Sequence, residues 1–331
     1  MALPWLFENL PHNQSHLSES MPAEVEASVI KCLNLSEICQ STAAPQGSNT
    51  PLRAPIQWKQ IALAEGISEQ QFEETKSSLA GDEGRTYFQL QMIQIKSLMT
   101  LLKQQGTVNL SPVKGRELID EINKKNEELL NPKTFSWKRL TELVQLISTK
   151  VESIELKDAG LTAAPPGLHL LTGLKRLSMH GNHLKTIPEY VFKPLKNVTH
   201  INLSHNQLTD LPQSMGQLPK LKEVDVSSNK LTTLPDFEEK AETLDKPRLL
   251  SPSMATSHKI VQLKLNISDN ELTALPGTLL DARRIDVIAS GNHFDEATDE
   301  RLEEKHRHIL AQRQSSLPSP EGNSDSCCVV Q

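Results

Sequence analysis

Aromatic side chains are what this chain has least of, at 4% of 331 residues with three Trp and two Tyr. Platforms that stack single-stranded bases are built from such rings, so that class of partner is disfavoured. A basic face is missing too: 41 Asp and Glu outnumber 35 Lys and Arg and leave a formal charge of -6. A general nucleic-acid binder needs the opposite sign. Four cysteines make no disulfide framework in a chain of this length. Cys32 and Cys39 lie in a polar leader, with no second pair or histidine cluster to complete a metal site. No apolar run reaches the ~20 residues of a membrane span. Met1–Leu10 has neither the basic start nor the apolar stretch of a signal peptide, so the expected compartment is the cytosol. Also missing are a P-loop, Gly-x-Gly-x-x-Gly, Gly-x-Ser-x-Gly, His-Glu-x-x-His and paired Cys-x-x-Cys. No catalytic residue, cofactor site or metal site is assigned on this reading, and no enzyme is expected.

What is present is one phrase said three times. Leu174-x-x-Leu177-x-Met179-x-x-Asn182-x-Leu184-x-x-Ile187-Pro188 recurs as Val198, Ile201, Leu203, Asn206, Leu208, Leu211, Pro212, and again as Leu221, Val224, Val226, Asn229, Leu231, Leu234, Pro235. The starts lie 24 and then 23 residues apart. That period and pattern are those of a leucine-rich repeat, in which a strand, a turn and a return segment form one coil. A coil cannot bury its apolar edge alone, so neighbours stack into a continuous core. Period-2 alternation at Leu177/Met179, Ile201/Leu203 and Val224/Val226 marks strands with one face inward. An asparagine side chain both donates and accepts, so at the turn it satisfies backbone groups of its own coil and a neighbour. Asn182, Asn206, Asn229, Asn270 and Asn292 form the expected structural ladder.

Weaker coils flank this run. Val151, Ile154, Leu156, Leu161 and Pro165 fit on the N-terminal side, with Ala159 in the asparagine position. Leu265, Ile267, Asn270, Leu272, Leu275 and Pro276 fit on the other side, followed by Val287, Ala289, Asn292 and Phe294. About six coils result. From Leu221 to Gln262 is 41 residues, which places an inserted loop at 236–259. Such a loop is expected to be exposed and to loosen the array near Asn270.

The wording Leu211-Pro212-Gln213-Ser214-Met215-Gly216 through Leu234-Pro235 resembles intracellular leucine-rich repeat proteins of the Ras-suppressor and plant Ras-group type. The resemblance covers roughly residues 151–294. It implies an α/β fold, a curved parallel sheet of coils with helical caps, used as a protein-binding scaffold. Small GTPases, kinases and phosphatases are among the partners it implies.

Outside the repeats, residues 1–55 read as a disordered leader, with Ser41–Pro55 as linker. Residues 56–135 read as a helical region. Ser68 with Gln71 forms a capping box, with Gly81 as a stop. Phe88, Met92, Ile95, Met99 and Leu102 make one apolar stripe, and Leu118, Ile119, Ile122, Leu129 and Leu130 a second behind Ser111-Pro112. The two stripes suggest an αα-hairpin whose faces are buried against each other and the solenoid, or else dock a partner helix. Residues 136–150 and 295–314 read as cap helices at the two ends. Residues 315–331 read as a flexible tail.

On the strands, residues beside the inward leucines face the concave surface. The central row is Glu155, Ser178, Asn202, Asp225, Asn266 and Ile288. One side row is Ser153, Arg176, His200, Glu223, Lys264 and Asp286, and the other is Lys157, His180, Ser204, Ser227, Ser268 and Ser290. Of these, Glu155, Arg176, Ser178, His200, Asn202, Glu223, Asp225, Lys264 and Asn266 are the candidate protein-binding residues. Glu223 and Asp225 form the local cluster of like charge, suited to a basic patch on a partner. A second signal is Cys328-Val329-Val330-Gln331, a Cys-aliphatic-aliphatic-X box for prenylation at Cys328, in which Gln favours farnesyl. One lipid anchors only marginally, and the adjacent Cys327 is a candidate for palmitoylation. The reading is a monomeric, non-enzymatic signalling scaffold on the cytosolic face of a membrane, with a protein partner such as a small GTPase or its regulators and no nucleic acid. The alternatives are a regulatory or substrate-recruiting subunit of a phosphatase or ubiquitin ligase, docking through the N-terminal helices, and an enzyme with a site in residues 56–131.

Overall fold

The computed structural model describes residues 58–79, 83–108, 112–131, 136–237, 263–282 and 284–315. The leader 1–55, Gly81, Ser111, nearly all of the inserted loop and the tail with Cys327 and Cys328 lie outside the described residues.

Four helices open the described chain: α1 (Trp58–Ala64), α2 (Glu69–Ser78), α3 (Glu83–Gln105) and α4 (Pro112–Leu130). The Ser68–Gln71 capping box closes both ways at the start of α2, satisfying two N–H groups that the first turn leaves unpaired. α3 and α4 pack together as the two stripes require, with Phe88, Ile95, Met99, Ile119 and Ile122 buried. α1 was not legible as a helix, because its seven residues are too few to show a stripe. Nor is the link from α3 to α4 a plain turn. It holds a strand, β1 (Thr107–Val108), which pairs antiparallel with β2 (Ser153–Glu155). Gly115 of α4 sits so close to β1 that a Cβ there would collide with the Val108 carbonyl. The paired helices α3 and α4 are therefore tied directly to the first strand of the sheet through the link that joins them.

α5 (Trp137–Lys150) is capped by Ser136, whose hydroxyl accepts from Arg139 N–H at 3.2 Å. Leu140, Leu143, Val144 and Ile147 bury its inner face, as expected of the cap. The coils then follow through β2, β3 (Arg176–Ser178), β4 (His200–Asn202), β5 (Glu223–Asp225), β6 (Leu263–Asn266) and β7 (Ile285–Ile288). With β1 they make a seven-stranded sheet in sequence order, parallel from β2 onward. Short helices α6 (Glu189–Phe192), α7 (Gln213–Gly216) and α8 (Gly277–Asp281) lie in the return segments. The repeat leucines and their β-branched equivalents fill the space between strands and returns, with Leu177, Ile201, Val224 and Leu265 buried in one layer. Each such side chain contributes on the order of 1.5–3 kcal/mol. α9 (Glu296–Ser315) closes the far end, burying Ile309 and setting the Lys305 ammonium on the last carbonyls of α8, Leu279 O and Ala282 O. A cation there suits the negative end of the helix dipole.

The insertion does not disturb the stacking. Lys264 N–H donates to Lys222 O at 2.8 Å and Val226 N–H to Asn266 O at 2.9 Å. The preceding interval, with no insertion, shows Lys222 N–H to Thr199 O at 2.8 Å. Asp236 and Phe237, assigned to the loop by spacing, instead belong to the fourth coil. Phe237 is 1% exposed, and Asp236 Oδ1 accepts from the Thr278 hydroxyl of the next coil at 2.9 Å. Apolar burial and a hydrogen bond to the next coil thus hold the chain in register through Phe237.

Candidate functional site

The strand registers set out the concave face. Cα partners run Ser153–Arg176–His200–Glu223–Lys264–Asp286 along one row and Glu155–Ser178–Asn202–Asp225–Asn266–Ile288 along the next. These are the rows read from the repeat. Glu155, Arg176, Glu223 and Lys264 are exposed, whereas Ser178, His200, Asn202, Asp225 and Asn266 are half-buried. Asp286 is buried, with His306 Nδ1 of α9 at 3.8 Å from its carboxylate. Ile288 is 52% exposed at the last strand.

The central row has a second occupation that its exposure hides. Asn202 Oδ1 accepts from Ser204 N–H at 3.0 Å and from the Ser204 hydroxyl at 2.7 Å. Asp225 Oδ1 accepts in the same way from Ser227, at 3.0 and 2.6 Å, and Asn266 Oδ1 from Ser268, at 3.2 and 2.9 Å. Asn266 Nδ2 then donates to Asp225 Oδ1 at 3.1 Å, tying adjacent coils. These are side-chain turns of the kind Asn and Asp favour. Asp225 is therefore not the freely exposed partner of Glu223 that the sequence suggested, because its carboxylate holds its own turn. The signal was present as Asn202-x-Ser204, Asp225-x-Ser227 and Asn266-x-Ser268. In the third row His180 Nδ1 lies 2.7 Å from the Ser204 hydroxyl and meets the His205 ring edge-on at 4.9 Å.

Behind the face stands the asparagine ladder. Asn206 donates through Nδ2 to Met179 O (2.9 Å) and Leu203 O (3.0 Å), and its Oδ1 accepts from Leu184 N–H (3.0 Å). Asn182, Asn229 and Asn270 repeat this arrangement, and Asn292 does so at the last coil. Asn182 Oδ1 also accepts from Ala159 and Leu161 N–H, so the first coil is held although it has no asparagine of its own. Asn270 donates to Val226 O (3.1 Å) and accepts from Leu231 N–H (3.0 Å) across the insertion. The array is not loosened there, contrary to expectation, because the ladder bonds join strand ends while the inserted chain leaves from the return segment. The residue before each asparagine has positive φ: His205 at 54°, Ser228 at 54° and Asp269 at 55°.

A buried polar group lies elsewhere, between the helical region and the first coils. Glu65 is 2% exposed. Its Oε2 accepts from the Tyr87 hydroxyl at 2.9 Å and Gln91 Nε2 at 2.6 Å, with His169 Nε2 at 3.6 Å. Glu65 Oε1, Gln91 Oε1 and His169 Nε2 have no hydrogen-bond partner among the described residues. Burial, and secondarily the Glu65 carboxylate, pushes the Tyr190 hydroxyl above its ordinary pKa, and the Tyr190 ring packs edge-on against His169. Gly66, at φ 79°, approaches the same ring so closely that a Cβ would sit 2.9 Å from it. This cluster joins two regions by parts that share no motif, which is why the sequence did not announce it. Among the described residues, no group of three or more His, Cys, Asp or Glu could hold a metal ion.

The family model that matches is the leucine rich repeat, over residues 172–231. No curated protein matches the chain. Among solved structures, a TLR13-ssRNA13 complex aligns over 44% of this chain and 22% of its own at 17% identity and a TM-score of 0.31. A leucine-rich repeat protein of Leptospira interrogans aligns over 50% of this chain and 61% of its own at 18% identity and a TM-score of 0.27. The chain thus spans less than two thirds of either. Stacked coils, in-register parallel strands and the matched segment agree: the chain has the α/β leucine-rich repeat solenoid fold.

Proposed function

We propose that this chain is a non-enzymatic scaffold that binds a signalling protein on its concave sheet. Leucine-rich repeat proteins generally act as protein-interaction scaffolds. The observation that carries the reading for this chain is the division of labour on the face. Asn202, Asp225 and Asn266 are fixed by their own turns, while Arg176, Glu223 and Lys264 stand exposed beside them. A stiff backing with exposed charged groups keeps the ordering cost of binding low. The resemblance supports a small GTPase or one of its regulators as the partner. A photo-crosslinking side chain placed at Ser178 of the full-length protein in its native host should give a protein adduct. The same group at Gln217, exposed near the end of α7, should give none. Adducts at both positions or at neither would remove the concave face as the site.

Attachment to a membrane through Cys328, with Cys327 as the second signal, belongs to the same proposal and rests on the motif Cys328-Val329-Val330-Gln331. No helix among the described residues is long and apolar enough to cross a membrane. Cys328→Ser should move the protein from the membrane to the soluble fraction. An intact mass showing an unmodified C-terminus with Val329–Gln331 retained would end this part of the reading.

A further inference from the structure

On the flank of the sheet Lys175 and Lys220 reach partners on neighbouring coils, whereas the long charged side chains of the side row do not pair with one another. Lys175 pairs with Glu152 of the preceding coil at 2.7 Å, and Lys220 reaches Asn197 of its neighbour at 2.7 Å. One position further in, Arg176 and Lys264 form no ion pair and no side-chain hydrogen bond among the described residues, and Glu223 has only the His200 imidazole, at 3.7 Å. Glu223 and Lys264 are register partners on adjacent strands and still do not pair. Exposed pairs contribute little in water, so stability alone does not decide this. The result is three long side chains with unspent hydrogen-bonding capacity, in one row, over a backing that is already tied down.

The order and spacing of these groups restrict what can satisfy them. Neighbouring strands lie about 4.8 Å apart. Arg176 on β3 and Glu223 on β5 are two strands apart, hence about 10 Å, and Lys264 on β6 is one further, about 5 Å. A polyanion would meet Glu223 between the two cations. An extended strand advances about 3.4 Å per residue and alternates faces. Three residues would cover the first interval but put the second group on the wrong side. An α-helix rises about 1.5 Å per residue, so about seven residues span the first interval and about three the second. Positions i, i+7 and i+10 share one helix face.

We propose that this row receives a helix of the partner protein, laid across the strands. The helix carries an acidic residue for Arg176, a basic residue about seven positions on for Glu223 and a second acidic residue about three beyond it for Lys264. The assignment rests on the concave-face reading above and specifies the chemistry of its ligand.

Two helical peptides on an alanine and glutamine background test it. One carries Glu, Lys and Glu at i, i+7 and i+10, the other Lys, Glu and Lys. Fluorescence anisotropy against the full chain at low ionic strength should favour the first by about tenfold or more, with the preference shrinking as salt is added. In the triple variant Arg176→Glu, Glu223→Lys, Lys264→Glu the order should invert. The three side chains are exposed, and an unchanged urea midpoint verifies that the variant is folded. Equal affinities, or an order that does not invert, would overturn the pattern. If the Ser178 crosslink forms while the peptides show no preference, the helix pattern alone falls. If the crosslink is missing as well, the concave-face reading falls with it.

Discussion

Two regions of this molecule bury polar side chains, and they do it differently. In the repeats, each ladder asparagine spends both halves of its amide: Asn206 donates to two coils and accepts from one. At the junction, Glu65 takes two hydrogen bonds on one oxygen, and its other oxygen, Gln91 Oε1 and His169 Nε2 have no partner among the described residues. Buried polar groups are costly when unmatched and nearly neutral when fully matched. Repetition explains the contrast. A bond pattern that works for one coil serves every coil, whereas the junction occurs once and assembles Glu65, Tyr87, Gln91 and His169 from separate elements.

Isosteric exchanges sharpen the contrast most. Asn206→Asp replaces an amide that donates to two or more carbonyls with a carboxylate facing them. It should cost roughly 3 kcal/mol or more and show as a large drop in urea midpoint. Asn206→Ala and Asn270→Ala should each cost roughly 1–3 kcal/mol, and by similar amounts, because their bonds are alike on either side of the insertion. A negligible shift for Asn270 alone would show that the coils separate there in solution.

A smaller effect belongs to the returns. Partial burial pushes the Glu189 carboxyl up, but hydrogen bonds from Ser214 and Gln213 at the start of α7, with help from Lys193, outweigh it and leave the carboxyl below its ordinary pKa. A depressed folded-state value stabilises above the unfolded pKa, and that contribution is lost as pH falls through the folded one. Glu189→Gln should therefore cost below about 1 kcal/mol at pH 7, a cost that shrinks as pH falls and the Glu189 carboxyl of the parent becomes protonated in the unfolded and then the folded chain. A chemical-denaturation series between pH 7 and pH 3 reads this directly. Smallest of all should be Glu65→Gln. The new amide still accepts from Tyr87 and Gln91 and gains an N–H for the unpartnered acceptors, so a midpoint within about 0.5 kcal/mol of the parent is expected. A loss as large as that of Asn206→Ala would mean that the Glu65 charge is itself required, and the comparison would fail.

The same contrast separates what the sequence displays from what it conceals. The ladder, the strand registers and the two rows were legible because they repeat every 22 to 24 residues on either side of the insertion. The Asx-x-Ser turns were legible too but were read as surface, since the pattern does not reveal which way a carboxylate is already bonded. β1 was hidden because two residues carry no periodicity, and Thr107-Val108 is a strand only by docking on β2. The Glu65 cluster was hidden because its members stand 22, 26 and 104 residues apart.

β1 also bears on how copies of this chain meet. Six parallel strands expose an end that another parallel coil would fit, which in principle allows head-to-tail growth without limit. β1 runs against them. A coil arriving in the common direction would therefore meet an antiparallel edge two residues long, so the parallel register of the array does not continue past β2 at this end.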